Sequence, residues 1–176
     1  MITTEKYTQV VSEQAMNAAV QAMAANGIEA QVVDTLEAAK DTALALIPDG
    51  AEVFTMTSVT LDETGIAKEI NESGKYKSVR NQLSSMDRET QGREMAKLGA
   101  APDYTLGSVH AVTQDGHVLI ASNSGSPLPA YASAAGHVIW VVGAHKIVKD
   151  LDDGLKRIYE HSLPLESIRA HAAYGM

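Results

Sequence analysis

The sequence predicts an α/β protein of three layers, α/β/α, with a mostly parallel central sheet and one added β-hairpin. Three observations carry that prediction. Helical apolar stripes alternate with short β-branched runs along the 176 residues, the order expected of right-handed β-α-β crossovers. Residues 137–142, His-Val-Ile-Trp-Val-Val, form an unbroken apolar run, which suits a strand covered on both faces of a parallel sheet. Asp115-Gly116 lies between two β-rich runs, 104–113 and 117–122, the strongest short-range hairpin signal because both turn positions favour positive φ.

In chain order, residues 5–26 read as a helix with Met16, Val20 and Met23 on one face and Gly27 at its stop. Residues 28–33 read as a short strand. Asp34 and Glu37 then resemble a capping box, and Leu36, Ala39, Ala43 and Leu46 keep a helical stripe up to Pro48. A strand follows at 51–56, a helix at 60–73 ended by Gly74, and a weak strand at 76–79. A polar helix is expected over 85–98. In the hairpin, a two-residue loop sets Val112 opposite Leu119 and His110 opposite Ala121. That register puts His110 and His117 on one face, about 13 Å apart, too far to share a metal ion. Ser126 and Pro127 open a short helix, Asp150 begins another with Leu151, Leu155 and Ile158 as its apolar stripe, and Pro164 opens the last.

Composition narrows the function. The chain has no cysteine, which removes disulfides, thiolate metal sites, iron–sulfur clusters and cysteine nucleophiles. Residues 1–75 hold twelve acids against four Lys or Arg, which accounts for the whole net charge of −8. Nucleic-acid binding, which needs a basic surface, is therefore disfavoured. No apolar run is long enough to span a bilayer and the first residues lack a signal pattern, so no membrane partner is expected and the chain reads as a single cytoplasmic domain, 1–176. Glycine-rich dinucleotide loops, Walker loops and Gly-x-Ser-x-Gly elbows are missing, and the cofactor stays open.

The chemistry-bearing residues gather in three polar stretches, where an α/β protein places its site. Thr57, Ser58 and Thr60 form a hydroxyl-rich strand-to-helix loop that could present N–H groups to an anion. Thr60 and Glu63 match a capping box, while Glu63 could equally be a general base or nucleophile; the residues leave both open. Asn123, Ser124, Gly125 and Ser126 supply side chains before a helix whose prolines lack N–H groups. Gly143, His145 and Lys146 follow the apolar strand: Lys146 is a candidate cation for an anionic ligand and His145 a candidate acid or base. Arg80 and Arg88 fit a solvated face more readily than a ligand contact.

Three blocks, Thr57-Ser-Val-Thr-Leu-Asp-Glu-Thr-Gly65, Gly107-Ser-Val-His-Ala-Val-Thr-Gln-Asp-Gly116 and Val142-Gly-Ala-His-Lys-Ile-Val-Lys-Asp-Leu151 with Arg157 beyond it, together resemble the LUD domain, the lactate-utilisation family that includes LutC/YkgG-like proteins. Residues 164–169 resemble its tail. The chain departs in two places: His145 stands where the family pattern often has Asn, and residues 124–127 read Ser-Gly-Ser-Pro rather than a Gly-Asn-Arg-like run. The resemblance implies a fold similar to NagB/RpiA/CoA transferase-like proteins, a site at the carboxyl ends of the strands, and a link to lactate-oxidation partner proteins.

Two functions are expected from this reading. One is an accessory protein that binds a small anionic metabolite. The alternative is an isomerase- or transferase-like enzyme acting on a phosphosugar, carboxylate or acyl-CoA, with Glu63, His145 and Lys146 as reacting or polarising groups. A homodimer through the polar helix, anchored by Met86, Met95 and Leu98, is also expected.

Overall fold

The computed structural model describes residues 5–175, which form two compact units. One unit comprises residues 33–108 and 122–141, the other the rest.

The first unit is built on four parallel strands, β1 (Glu52–Thr55), β2 (Lys77–Ser78), β3 (Tyr104–Gly107) and β6 (His137–Trp140), in the order β2-β1-β3-β6. Val53 pairs with Tyr104, and Leu106 pairs with Ile139. Side chains alternate along β1. Val53 faces a buried cluster with Ala43 and Ile47 from α2 (Leu36–Ala45) and its exit, Leu61 from α3 (Val59–Glu63), and Ile66 and Ile70 from α4 (Ile66–Glu72). Phe54 faces the opposite side. There Gly99 of α6 (Arg88–Ala100) comes so close that an added Cβ would lie 3.3 Å from the Phe54 ring, with Leu83 of α5 (Val79–Ser84) beside it. Helices thus cover both faces, the three layers anticipated. The expected helix over 60–73 is broken in two at Gly65, whose φ of +72° takes the chain out of helical geometry between α3 and α4.

Two expectations fail in this unit. The run at 137–142 joins the sheet in parallel as expected but is not covered on both faces: β6 ends the sheet order, and Val138, Ile139 and Trp140 are only half-buried while His137 is exposed. Residues 28–33 form no strand, because no neighbouring strand pairs with their backbone, and Val32 and Val33 stay exposed.

The second unit holds β4 (Ala111–Thr113), β5 (Val118–Leu119) and β7 (Ile147–Val148), ordered β5-β4-β7, with β4–β5 antiparallel and β4–β7 parallel. The single strand expected over 104–113 is therefore two strands belonging to different sheets. The hairpin forms, but Val112 pairs with Val118 rather than Leu119. Its loop has three residues: the Gly116 N–H donates to the Thr113 carbonyl at 3.1 Å, and Gly116 takes φ +91°, a turn closed by one left-handed residue. That one-residue shift moves His110 and His117 to opposite faces. Asn26, after α1 (Glu13–Ala25), donates from Nδ2 to the Gly116 carbonyl at 3.2 Å and pins the turn. Helix α7 (Leu151–Arg157) presses on the sheet through Gly154, where a Cβ would meet Leu119 at 2.8 Å. A π-helical turn (Ile158–Ser162) links it to α8 (Leu163–Tyr174). Among the described residues no helix is long and apolar enough to cross a membrane.

Candidate functional site

The carboxyl end of β1 carries a polar network that begins with a threonine in the core. Thr55 is fully buried, and its hydroxyl needs partners that apolar neighbours cannot give. Asn71 of α4 donates to the Thr55 hydroxyl at 3.1 Å and accepts from the Ser78 hydroxyl at 2.6 Å. Arg80, in the first turn of α5, donates through Nε to the Thr55 carbonyl at 2.9 Å and to its hydroxyl at 3.2 Å. A second nitrogen of the same guanidinium also reaches the Thr55 carbonyl and lies 3.4 Å from the Thr57 hydroxyl. The Phe54 ring lies 5.8 Å from the guanidinium carbon. A cation is therefore fixed at the mouth of a central parallel strand, beside the hydroxyl loop. Arg80 was expected on a solvated face. The signal that could have placed it is its spacing: two residues after β2, it must leave from the same sheet edge as Thr57.

Ser58, not Thr60, caps α3, accepting from the Leu61 N–H at 3.4 Å. The Thr60 carbonyl instead accepts the Thr64 hydroxyl at 2.9 Å. Glu63 is the exposed last residue of this five-residue helix, far from the N-terminal position that a capping box requires. A helix this short also adds little dipole at the loop.

The stretch 123–126 belongs to the same unit. Its exposed side chains bond one another: the Ser124 hydroxyl donates to the Ser126 hydroxyl at 3.0 Å, and the Gly125 N–H to the Ser122 hydroxyl at 2.9 Å. The helix after it starts where the prolines placed it, the Pro127 carbonyl accepting the Tyr131 N–H at 3.0 Å. Tyr131 is buried, and its hydroxyl occupies the space where a Gly107 side chain would stand, at the carboxyl end of β3. Burial pushes its phenol well above the ordinary range. Trp140, at the end of β6, meets Tyr131 edge-on at 5.8 Å, and its buried indole N–H has no partner among the described residues.

Gly143, His145 and Lys146 lie in the other unit, in a single 3-10 turn (Ala144–Lys146) entering β7. Lys146 thus follows the edge strand β6 and not a central one. The His145 imidazole folds over Gly143, its Nδ1 2.8 Å from where a Cβ would be, so a larger residue there would push the ring aside.

A separate concavity of about 450 Å³ lies at the opposite, amino edge of the four-stranded sheet, lined by Asp49, Asp103 and the stacked rings of Tyr104 and His137, 4.5 Å apart. Its two carboxylates suit it poorly to an anion. Among the described residues, no group of three or more His, Asp or Glu is placed to hold a metal ion.

A family model described as the LUD domain matches residues 16–174, running through both units. No curated protein and no solved structure matches the chain.

Proposed function

This chain belongs to the LUD domain family, and on that premise we propose that it is a lactate-utilisation-type protein binding a small anionic metabolite at the carboxyl edge of its four-stranded sheet. The observation that supports this reading is Arg80, held at the end of central strand β1 by the Thr55 carbonyl and next to the Thr57 hydroxyl. A guanidinium held by the Thr55 carbonyl is oriented before a ligand arrives, which lowers the entropic cost of binding. Thr57 and Ser58 supply hydroxyls to the same anion, and the unsatisfied Trp140 indole N–H is a further donor at this edge. Asn123, Ser124, Gly125 and Ser126 enter the helix that brings Tyr131 to Gly107, and in this reading they approach the ligand from that side. Glu63, a candidate acid or base from the sequence, lies in this unit, exposed to solvent.

The experiment is a thermal-shift screen with lactate, sugar phosphates, acyl-CoAs and folates, with calorimetry on each hit for the wild type and Arg80→Gln. Loss of roughly tenfold or more in affinity, the scale of one charge-assisted hydrogen bond, supports the reading. Unchanged affinity in Arg80→Gln overturns it. Turnover of a hit, abolished by Glu63→Gln, would replace the accessory role by an isomerase- or transferase-type activity.

A further inference from the structure

The helix after β7 turns polar residues inward and its leucines outward. The apolar stripe expected of α7 is Leu151, Leu155 and Ile158, but only Ile158 packs against the buried cluster of β4, β5 and β7. Facing the sheet instead are Gly154, against Leu119, and two polar residues, Arg157 at 2% and His161 at 7% exposure. The large apolar residues lie outside: Leu151 and Leu155 are each 44% exposed, Tyr159 68% and Leu163 51%. An amphipathic helix points its apolar stripe at whatever covers it, so this outer stripe calls for a partner.

These four residues stay in one line because of a proline. From α7 through the π-helical turn into α8 the helix is unbroken, with Ile158 at φ −62°, ψ −51° and Leu163 at φ −62°, ψ −46°. Pro164 has no N–H to give the carbonyl of Glu160, and the Leu163 N–H bonds the Ile158 carbonyl, five residues back. Side chains spaced four apart drift around an α-helix of about 3.6 residues per turn, and the wider π-turn takes up that drift. Leu151, Leu155, Tyr159 and Leu163 therefore form one ridge. Along one flank of it stand Asp152, Lys156 and Glu160, all exposed and none in an ion pair among the described residues.

We propose that this ridge is a homodimer interface, the helices of two copies lying antiparallel about a two-fold axis at Ile158. The charges select that register. An axis at Lys156 or at Glu160 would set like charges face to face, which opposes association. An axis at Gly154 would pair Asp152 with Lys156 but leave Tyr159 and Leu163 beyond the start of the facing helix. With the axis at Ile158, Lys156 of each copy meets Glu160 of the other. Leu155 then enters the gap between the second copy's Tyr159 and Leu163, as the ridges and grooves of packed helices interlock. Each contact is repeated in reverse, as an isologous interface demands. Four large side chains per copy, with the stems of Lys156 and Glu160 beside them, come to about the 1,000 Å² that a specific interface must clear, so the dimer is a reversible one. The face is distinct from α6 and uses no residue of the Arg80 network, so it stands or falls separately from the ligand site.

The test is sedimentation equilibrium on the whole chain at concentrations up to on the order of 100 μM, with circular dichroism to confirm that each variant is folded. The wild type is expected to pass from monomer to dimer over that range. Leu155→Glu and Tyr159→Glu, at exposed positions that leave the fold standing, should each weaken association about tenfold or more. Lys156→Glu and Glu160→Lys should each weaken it about fivefold, and an equimolar mixture of the two should recover it, because the mixed pair restores opposite charges at both contacts. A wild type that stays monomeric throughout overturns the proposal. So does a dimer unaffected by both Leu155→Glu and Tyr159→Glu, which would put the interface elsewhere, α6 included. A charge-swapped mixture that associates no better than its components overturns it as well.

Discussion

Replacing Gly107 by alanine should destabilise the four-stranded unit by an amount traceable to one side chain. The new methyl would coincide with the Tyr131 hydroxyl, lie 2.8 Å from Tyr131 Cζ and 3.1 Å from Met56 Cβ. Met56 continues β1, and its N–H is bonded to the Leu106 carbonyl at 2.8 Å, so it cannot retreat. Tyr131 must therefore move. It is buried and packed edge-on against Trp140, and moving it forfeits a long bond from its hydroxyl to the Ser108 carbonyl. Overpacking of a filled core costs about 1–3 kcal/mol, and the lost bond, long at 3.5 Å, adds little to it, so a total of about 1–3 kcal/mol is expected. Trp140 is the only tryptophan in the chain, and urea unfolding followed by its fluorescence reports from the site of the clash. Tyr131→Phe in the same background removes the worst overlap and should recover part of the loss, giving a coupling energy of the size seen between contacting residues, about 0.5–3 kcal/mol. A Gly107→Ala protein within 0.5 kcal/mol of wild type would refute the close approach, as would strictly additive effects.

Three further outcomes are expected. Stability should fall as pH drops below the unfolded imidazole value of about 6.5: the folded His110 and His161 sit lower, so the unfolded chain takes up protons first, and stability is complete above that value and declines through the window beneath it. Urea midpoints for wild type and His161→Leu at pH 7.5 and 5.5 check this, with the smaller change in the variant. Asp150→Ala should cost about 1 kcal/mol by removing the α7 cap that accepts the Asp153 N–H at 3.0 Å, and Ser58→Ala, whose cap bond is 3.4 Å, should cost less; denaturant midpoints in the reverse order would contradict the cap geometry. Gly116→Ala should lower the melting temperature, because a side chain at φ +91° is strained by about 1–2 kcal/mol and its Cβ would meet Asn26 Nδ2 at 2.7 Å; an unchanged melting temperature would deny the contact.

The sequence by itself determined what local chemistry determines. Helical apolar periodicity placed α2 and α7 near their observed spans, polar composition and Pro164 did so for α6 and α8, the helix expected from residue 5 begins only at Glu13, and the Asp115-Gly116 turn announced the hairpin. The three blocks around Thr57, Gly107 and Val142 pointed to the LUD domain, which the family match over residues 16–174 bears out. What only the tertiary structure decided depends on partners distant in sequence. The run 104–113 carries Gly107-Ser108 at its middle, where β3 ends, but nothing in it says that its first half pairs with β1 and β6 and its second half with β5 and β7. The hairpin register turned on whether the loop held two residues or three, which Asn26 and the backbone of α1 help settle from ninety residues away. The sequence puts Arg80 on a solvated face and marks Arg157 only as part of the family resemblance. One is fixed at a strand mouth by the Thr55 carbonyl and the other sealed beneath Tyr7, because a guanidinium is placed by the carbonyls and rings that surround it, and those come from elsewhere in the chain.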